Sequence, residues 1–426
     1  MSEIYQMTIS ELDKGLTRGD FSLQEMWQSC IDRVLERDDS VGAFQIIDFE
    51  KMQESIDLNS SKERGNELFG IPFGVKDIMD TYDLPTQYGS RIYEGFQPKA
   101  DAAIVASLRY KGAIVFGKTV TTEFAYFEPG KTRNPRNLNH TPGGSSQGSA
   151  AAVSDCMIPF ALGSQTAASV IRPAAYCGVV GYKSTVGEFS LGGVCALSQS
   201  MDSLGFFVRH PGDLAIIRKV LRAQGQIQGP KRPNCIALVR TPHWESLCLE
   251  SQTLLERVVG DIRGEGVRVD DVELDAVGSI DLVQAHKTVI AFESARSRAY
   301  EFHRHCKDLS DPFRELVADG WQISESSYRK ALDARNQVRE KLRKELSHYD
   351  FFISPSAPGE APEGLTSTGD PIFSRGWTLL GGPAITLPLG AGANHLPLGV
   401  QLSANLHQDD KLVAHASWLY ENIRDD

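Results

Sequence analysis

The sequence predicts an α/β fold: one large domain with a mixed, mostly parallel β-sheet core covered by helices. Three observations carry this expectation. Short apolar runs of strand length recur from about residue 44 to residue 402 and alternate with helix-length periodic stretches. With 426 residues, 41% hydrophobic and 23% charged, the chain can bury a large core. The strand-like runs on both sides of a charge-rich helical region, about 280–348, read as equally buried. That region is therefore expected to be an insertion or cap in a single domain spanning 1–426.

The elements follow in order. Thr8 with Glu11, and Ser22 with Glu25, have the spacing of capping boxes and predict two opening helices. After Ser22, the residues Leu23, Met26, Trp27, Cys30, Ile31 and Val34 recur at three and four, so one face of this helix packs on the body. Residues 44–47 read as a strand, 49–61 as a helix, and 68–76 as a strand broken by Pro72. Asp101 is placed to cap a helix over 102–111 and Gly112 to end it, before a buried strand at 113–116. Alternation continues with a helix from about Ser149, a strand at 157–162, a helix after Ser169 and a strand near 179–182. Beyond Gly229 a strand at 235–239 leads into a helix at 250–263. Two longer helical patterns follow, 280–305 and 326–348, separated by a loop around Asp311-Pro312. Strands at 351–354, 383–389 and 398–402 and a helix at 409–423 close the chain.

A net charge of −11 and a pI near 5.5 give no electrostatic reason for nucleic acid or an anionic membrane as partner. The first residues lack the basic start and apolar core of a signal peptide, and no apolar stretch approaches a membrane span. A cytoplasmic location is the expectation. Seven cysteines are scattered without zinc-site or disulfide spacing and read as free thiols.

Residues 141–173 are almost devoid of large or charged side chains. Backbone must come close to something there. Ser145 and Ser169 each sit among small residues whose N–H groups can hold an anion or a polarised carbonyl oxygen. Close packing is the competing reading for such a run. Farther upstream, Lys76 ends an apolar strand-like run, Gly70-Ile-Pro-Phe-Gly-Val, and is expected to be buried. A serine nucleophile needs a base within reach, yet no histidine lies in a triad motif and Gly-X-Ser-X-Gly does not surround Ser169. Burial lowers a lysine from its usual pKa near ~10.4 by several units, so a neutral Lys76 can accept a proton. Other signals carry less. Gly143 and Gly148 have phosphate-loop spacing, but Ser149 stands where that loop needs lysine. Cys177 lies between apolar flanks and reads as a structural thiol, and His303-Arg-His305-Cys306 as a solvated helix face.

Together Lys76, Ser145 and Ser169, with their order and flanks, resemble the amidase signature family. The resemblance is strongest over residues 68–185, with further likeness at 119–124, 350–358 and 396–402. It implies an amidohydrolase that cleaves a C–N amide bond through an acyl-enzyme on Ser169, with a proton relay from Ser169 to a cis-linked Ser145 to Lys76. It also implies an oxyanion hole from the backbone N–H groups of Thr166, Ala167, Ala168 and Ser169, with no metal and no cofactor. By the same analogy Tyr126, Phe127 and Trp377 are pocket walls. One departure stands out: Gln165-Thr-Ala-Ala-Ser169 replaces the family's usual Asp-Thr-Gly-Gly-Ser, and Arg172 is displaced by one residue. Gln165 cannot form the usual Asp–Arg pair, and alanines in place of glycines bring the oxyanion-loop geometry into question. The expected partner is a small-molecule amide, or a carbamate or urea-like substrate, with a homodimer left open. The alternatives are a non-catalytic relic and a glutamine-amidotransferase A-type subunit.

Overall fold

A computed structural model describes residues 3–60, 63–222, 229–273 and 281–423. Eleven strands among these residues form one sheet: β1 (Phe44–Ile46), β2 (Pro72–Lys76), β3 (Ile114–Thr119), β4 (Phe160–Gln165), β5 (Val180–Lys183), β6 (Ser203–Val208), β7 (Cys235–Arg240), β8 (Arg268–Glu273), β9 (Phe352–Pro355), β10 (Ala384–Ala391) and β11 (Pro397–Ser403). Their spatial order is β1-β3-β2-β4-β6-β5-β10-β11-β9-β7-β8. The sheet is mixed, as expected, but the parallel share is smaller than the sequence suggests. Parallel pairing is confined to β3–β2–β4 and β9–β7–β8, and the strands between them pair antiparallel. Every residue of β2 to β6 is buried, so these strands read as continuous apolar runs whichever way they run.

Local signals explain most boundaries. Both opening helices, Ile9–Arg18 and Leu23–Val41, begin with complete capping boxes, and the second buries Met26, Trp27, Cys30 and Val34. Trp27 stacks on Phe116 at 5.6 Å and donates its indole N–H to the Gly70 carbonyl. Strand β2 starts at Pro72 and not at 68, because proline has no N–H for the ladder and fits the first residue of a strand. Asp101 does not cap the helix Ala103–Tyr110. It accepts the Tyr82 N–H and pairs with Arg109. Gly112 follows that helix in the left-handed conformation, φ 86°, which only glycine adopts cheaply.

The expected loop at Asp311-Pro312 is instead the start of a helix, Asp311–Gln322, where proline's missing N–H costs nothing. The insertion comprises this helix with Leu282–Ser297, Ala299–His305 and Glu325–Glu345. It shares a core with Phe124, Leu197 and Met201, and Leu197 lines one cavity with Ser145 and Ser169. Ser61 and Ile280, the expected end of one helix and start of another, lie outside the described residues. Among the described residues no helix is long and apolar enough to cross a membrane.

Close packing accounts for part of the 141–173 run. A methyl group on Gly148 would collide with the Ala43 carbonyl oxygen and the Val120 nitrogen, both backbone atoms that cannot turn aside. Gly148→Ala is therefore expected to destabilise the fold by about 1–3 kcal/mol or more, read as a lower urea midpoint at unchanged m-value. An unchanged midpoint would show that this contact is not tight.

Candidate active site

Strand β2 ends at Lys76 in the sheet interior, where its side chain is wholly buried. The amine lies 2.7 Å from Ser145 Oγ and 2.9 Å from Ser164 Oγ. Burial brings its pKa down to about 7, opposed only in part by the charge of Asp202. The adjacent Asp77 points to the other side of the strand and pairs with Lys118 at 3.2 Å. Lys183 is equally buried and also pushed to about 7 by desolvation, but its amine is held by the Gly382 carbonyl. Of these two low-pKa lysines, Lys76 is the one in contact with a serine hydroxyl.

Ser145 follows a cis peptide bond with Gly144. Arg172 spans the loop from the other side. Its guanidinium donates to the Gly144 carbonyl at 2.9 Å, to Thr368 Oγ1 at 3.0 Å and to the Gly369 carbonyl. Ser145 and Ser169 line the same cavity, together with Thr166, Ala167, Tyr126 and Phe127. The Ser169 hydroxyl has no hydrogen-bond partner among the described residues.

The segment 166–169 has an ordered polarity. All four of its carbonyls are occupied: Thr166 O by His286 Nε2 at 2.8 Å, Ala167 O by Thr378 Oγ1 at 2.6 Å, Ala168 O by the Arg172 N–H and Ser169 O by the Ser146 N–H. Its four N–H groups have no acceptor among the described residues. Four free donors beside a serine hydroxyl can receive a developing negative charge. None of these residues has positive φ, so the two alanines sit without the strain that a left-handed turn would impose.

Gln165 has its own task. Its Oε1 accepts the N–H groups of Val170 and Ile171 at 2.9 and 3.0 Å, satisfying the start of the helix Ile171–Cys177, while Nε2 donates to Thr378 Oγ1 at 2.9 Å. Gln165 and Arg172 thus serve separate partners. Thr166 is also anchored through Oγ1 to Asp202, which burial raises to about 6.

Trp377 does not line this cavity. It packs on Phe352 at 5.4 Å in a separate cluster with Ala237, Val239 and Leu342. The helix Ile372–Leu380 explains the split, since residues two apart point about 200° apart. Arg375 and Thr378 face the site and Trp377 faces away. Sequence reasoning missed Arg375, His286, Thr378, Thr368 and Ile290. A lone arginine within the otherwise uncharged run Ile-Phe-Ser-Arg-Gly-Trp-Thr-Leu-Leu was the one usable signal. Elsewhere, Cys177 is buried with its thiol pushed up by desolvation, and His303 and Arg304 are exposed on the helix Ala299–His305.

The sequence profile of the Amidase family matches residues 25–413. The chain belongs to this family. The A subunit of glutamyl-tRNA(Gln) amidotransferase from Alkaliphilus metalliredigens is 28% identical over 479 residues, covering 99% of this chain and 97% of that protein. A crystal structure of an amidase superposes with TM-score 0.88 at 26% identity, covering 98% of this chain and all of the other. The corresponding A subunit from Thermotoga maritima gives TM-score 0.82 at 27% identity over 99% and 96% of the two chains. The amidase-signature fold follows from both sequence and architecture.

Thr378 supplies the testable hinge of this arrangement. Thr378→Val, close in shape, removes the donor to Ala167 O and the acceptor for Gln165 Nε2. It is expected to cost about 1–3 kcal/mol in denaturant unfolding, the scale of buried polar groups left unpaired. Parent-like stability would mean that the loop is held by other contacts.

Proposed function

We propose that this amidase-family chain hydrolyses a C–N amide bond through a covalent intermediate on Ser169. The observation that carries the reading is the buried Lys76 amine, 2.7 Å from Ser145 Oγ and lowered to about 7. A neutral amine there is a competent base near neutral pH. In this scheme Ser169 Oγ attacks the amide carbonyl carbon while its proton passes through Ser145 to Lys76. The oxyanion takes hydrogen bonds from the N–H groups of Thr166, Ala167, Ala168 and Ser169. The C–N bond then breaks as the proton returns to the leaving nitrogen, and ammonia or an amine departs. Water attacks the ester, gives its proton to the relay, and frees the carboxylic acid and Ser169.

A carbamate or urea-type substrate fits the same steps. Glutamine-dependent amide transfer with a partner is the second reading, favoured by relatives named as amidotransferase A subunits, such as that of Lysinibacillus sphaericus at 30% identity.

A fluorophosphonate is expected to label Ser169, and Ser169→Ala to lose both label and turnover. Only deprotonated Lys76 accepts a proton, so the acylation rate should rise with pH through about 7 and then level off. Lys76→Ala should abolish that rise and slow acylation by about 10²–10⁴-fold, the span of general base catalysis. A folded Lys76→Ala protein with the parent's rate and pH profile would overturn the relay.

A further inference from the structure

The cavity beside Ser169 has a charge that neither the relay nor the oxyanion loop explains. Its lining includes two guanidinium groups, Arg172 and Arg375, and no carboxylate. Both lie close to the Phe127 ring, their Cζ atoms 5.7 and 6.0 Å from its centroid. They repel one another and burial lowers both, Arg172 to about 10, but a guanidinium is not deprotonated at neutral pH in proteins and both carry charge. Neither forms an ion pair among the described residues. Asp370 acts on both from a distance, but it is exposed and lies outside the lining.

The two arginines differ in how they are employed. Arg172 spends its terminal nitrogens on Gly144 O, Gly369 O and Thr368. Arg375 is only 8% exposed, yet the single hydrogen-bond partner of its guanidinium among the described residues is His286 Nδ1 at 3.0 Å. Burial and the Arg375 charge hold His286 neutral, with its pKa near 3. Its Nδ1 therefore accepts from Arg375 while Nε2–H donates to Thr166 O. One end of the Arg375 fork is fixed, and the other N–H groups remain unpaired at the cavity. A buried guanidinium without a counter-charge is costly, and a bound anion would relieve it.

Taking the amide-hydrolase reading as its basis, we infer that Arg375, seconded by the field of Arg172, binds a carboxylate on the substrate itself. The substrate class is an amide whose acyl part ends in a carboxylate, the monoamide of a short dicarboxylic acid. Two further observations narrow it. The cavity as it stands holds about 20 Å³, room for one or two waters, so any amide needs its walls to move and the shortest acyl parts need it least. An amino-acid amide such as glutamine also brings an ammonium group, and the lining offers it no acidic side chain. The planar fork of arginine matches a carboxylate edge, and lysine would not reproduce it.

The test compares succinamate with succinamide, which differ in O⁻ against NH₂ at the far end. The full-length parent should show a kcat/KM at least about 10-fold higher for succinamate, and Arg375→Gln should shrink that ratio by about 10- to 100-fold. Arg375→Lys should restore only part of it. A ratio in the parent at or below one, a ratio unchanged in Arg375→Gln, or glutamine turned over faster than succinamate would each overturn the inference. Calorimetry on Ser169→Ala protein reads binding without turnover and without relying on the Arg375 variants. There succinamate should bind more tightly than succinamide, and equal affinity would overturn the proposal. Neutral amides cleaved through a labelled Ser169 at the expense of succinamate would remove the carboxylate site and leave amide hydrolysis standing. Loss of Ser169 labelling with preserved succinamate selectivity would do the reverse.

Discussion

A buried lysine amine with no carboxylate in contact is the constraint on which the site depends. In a dry interior the ammonium form is penalised, and two serine hydroxyls satisfy the neutral amine in its place. The strand geometry makes this possible. Asp77, just past the end of β2, turns to Lys118, the partner of Val75 across the ladder, so that carboxylate is paired there and does not hold Lys76 in its charged state. Strand β4, parallel to β2, brings Ser164 to the amine, and the Gly144–Ser145 turn brings Ser145. The small residues around them allow the approach. Gly148 lets its helix rest directly on the backbone at Ala43 and Val120.

Around this amine the 165–169 segment is fixed from outside. Its carbonyls are held by His286 and Thr378, from helices more than a hundred residues later, and by neighbours at Arg172 and Ser146. With the carbonyls of 166–169 occupied, the N–H groups are what this segment leaves free among the described residues. This arrangement also explains the replacement of an acidic residue by Gln165. An amide can accept from the first N–H groups of a helix and donate to Thr378 at once, whereas an ionised carboxylate only accepts. The displaced Arg172 is correspondingly free to clamp the Gly144 carbonyl and the Thr368–Gly369 turn.

Net charge proves a poor guide to the site. The chain carries −11 overall, which argues against tight anion binding when read as a single number. The cavity lining nonetheless holds two arginines and no acid. Surface carboxylates sit in high dielectric and are screened within about 10 Å, while buried guanidinium groups act at contact distance. Local sign, set by which side chains converge, outweighs the global sum.

Much of this protein was written locally. Capping boxes at Thr8 and Ser22 and the helix-ending Gly112 are short-range effects of backbone sterics and orphan N–H groups, and they were readable without a structure, whereas the start of β2 at Pro72 was not. The family likeness of Lys76, Ser145 and Ser169 was equally readable, because small and apolar flanks are required wherever backbones crowd a buried polar group. Strand direction was not, since fully buried strands carry the same apolar pattern in parallel and antiparallel sheets. Nor was the start of a helix at Asp311-Pro312, which breaks one pattern and begins another with the same residue. Trp377 and Arg375 show the limit most plainly: both lie on one helix, and only the rotation of that helix against its neighbours sends the arginine to the cavity and the tryptophan to Phe352. Sequence determined which residues could do chemistry; tertiary packing decided which of them meet, because that depends on contacts between segments 69 to 211 residues apart.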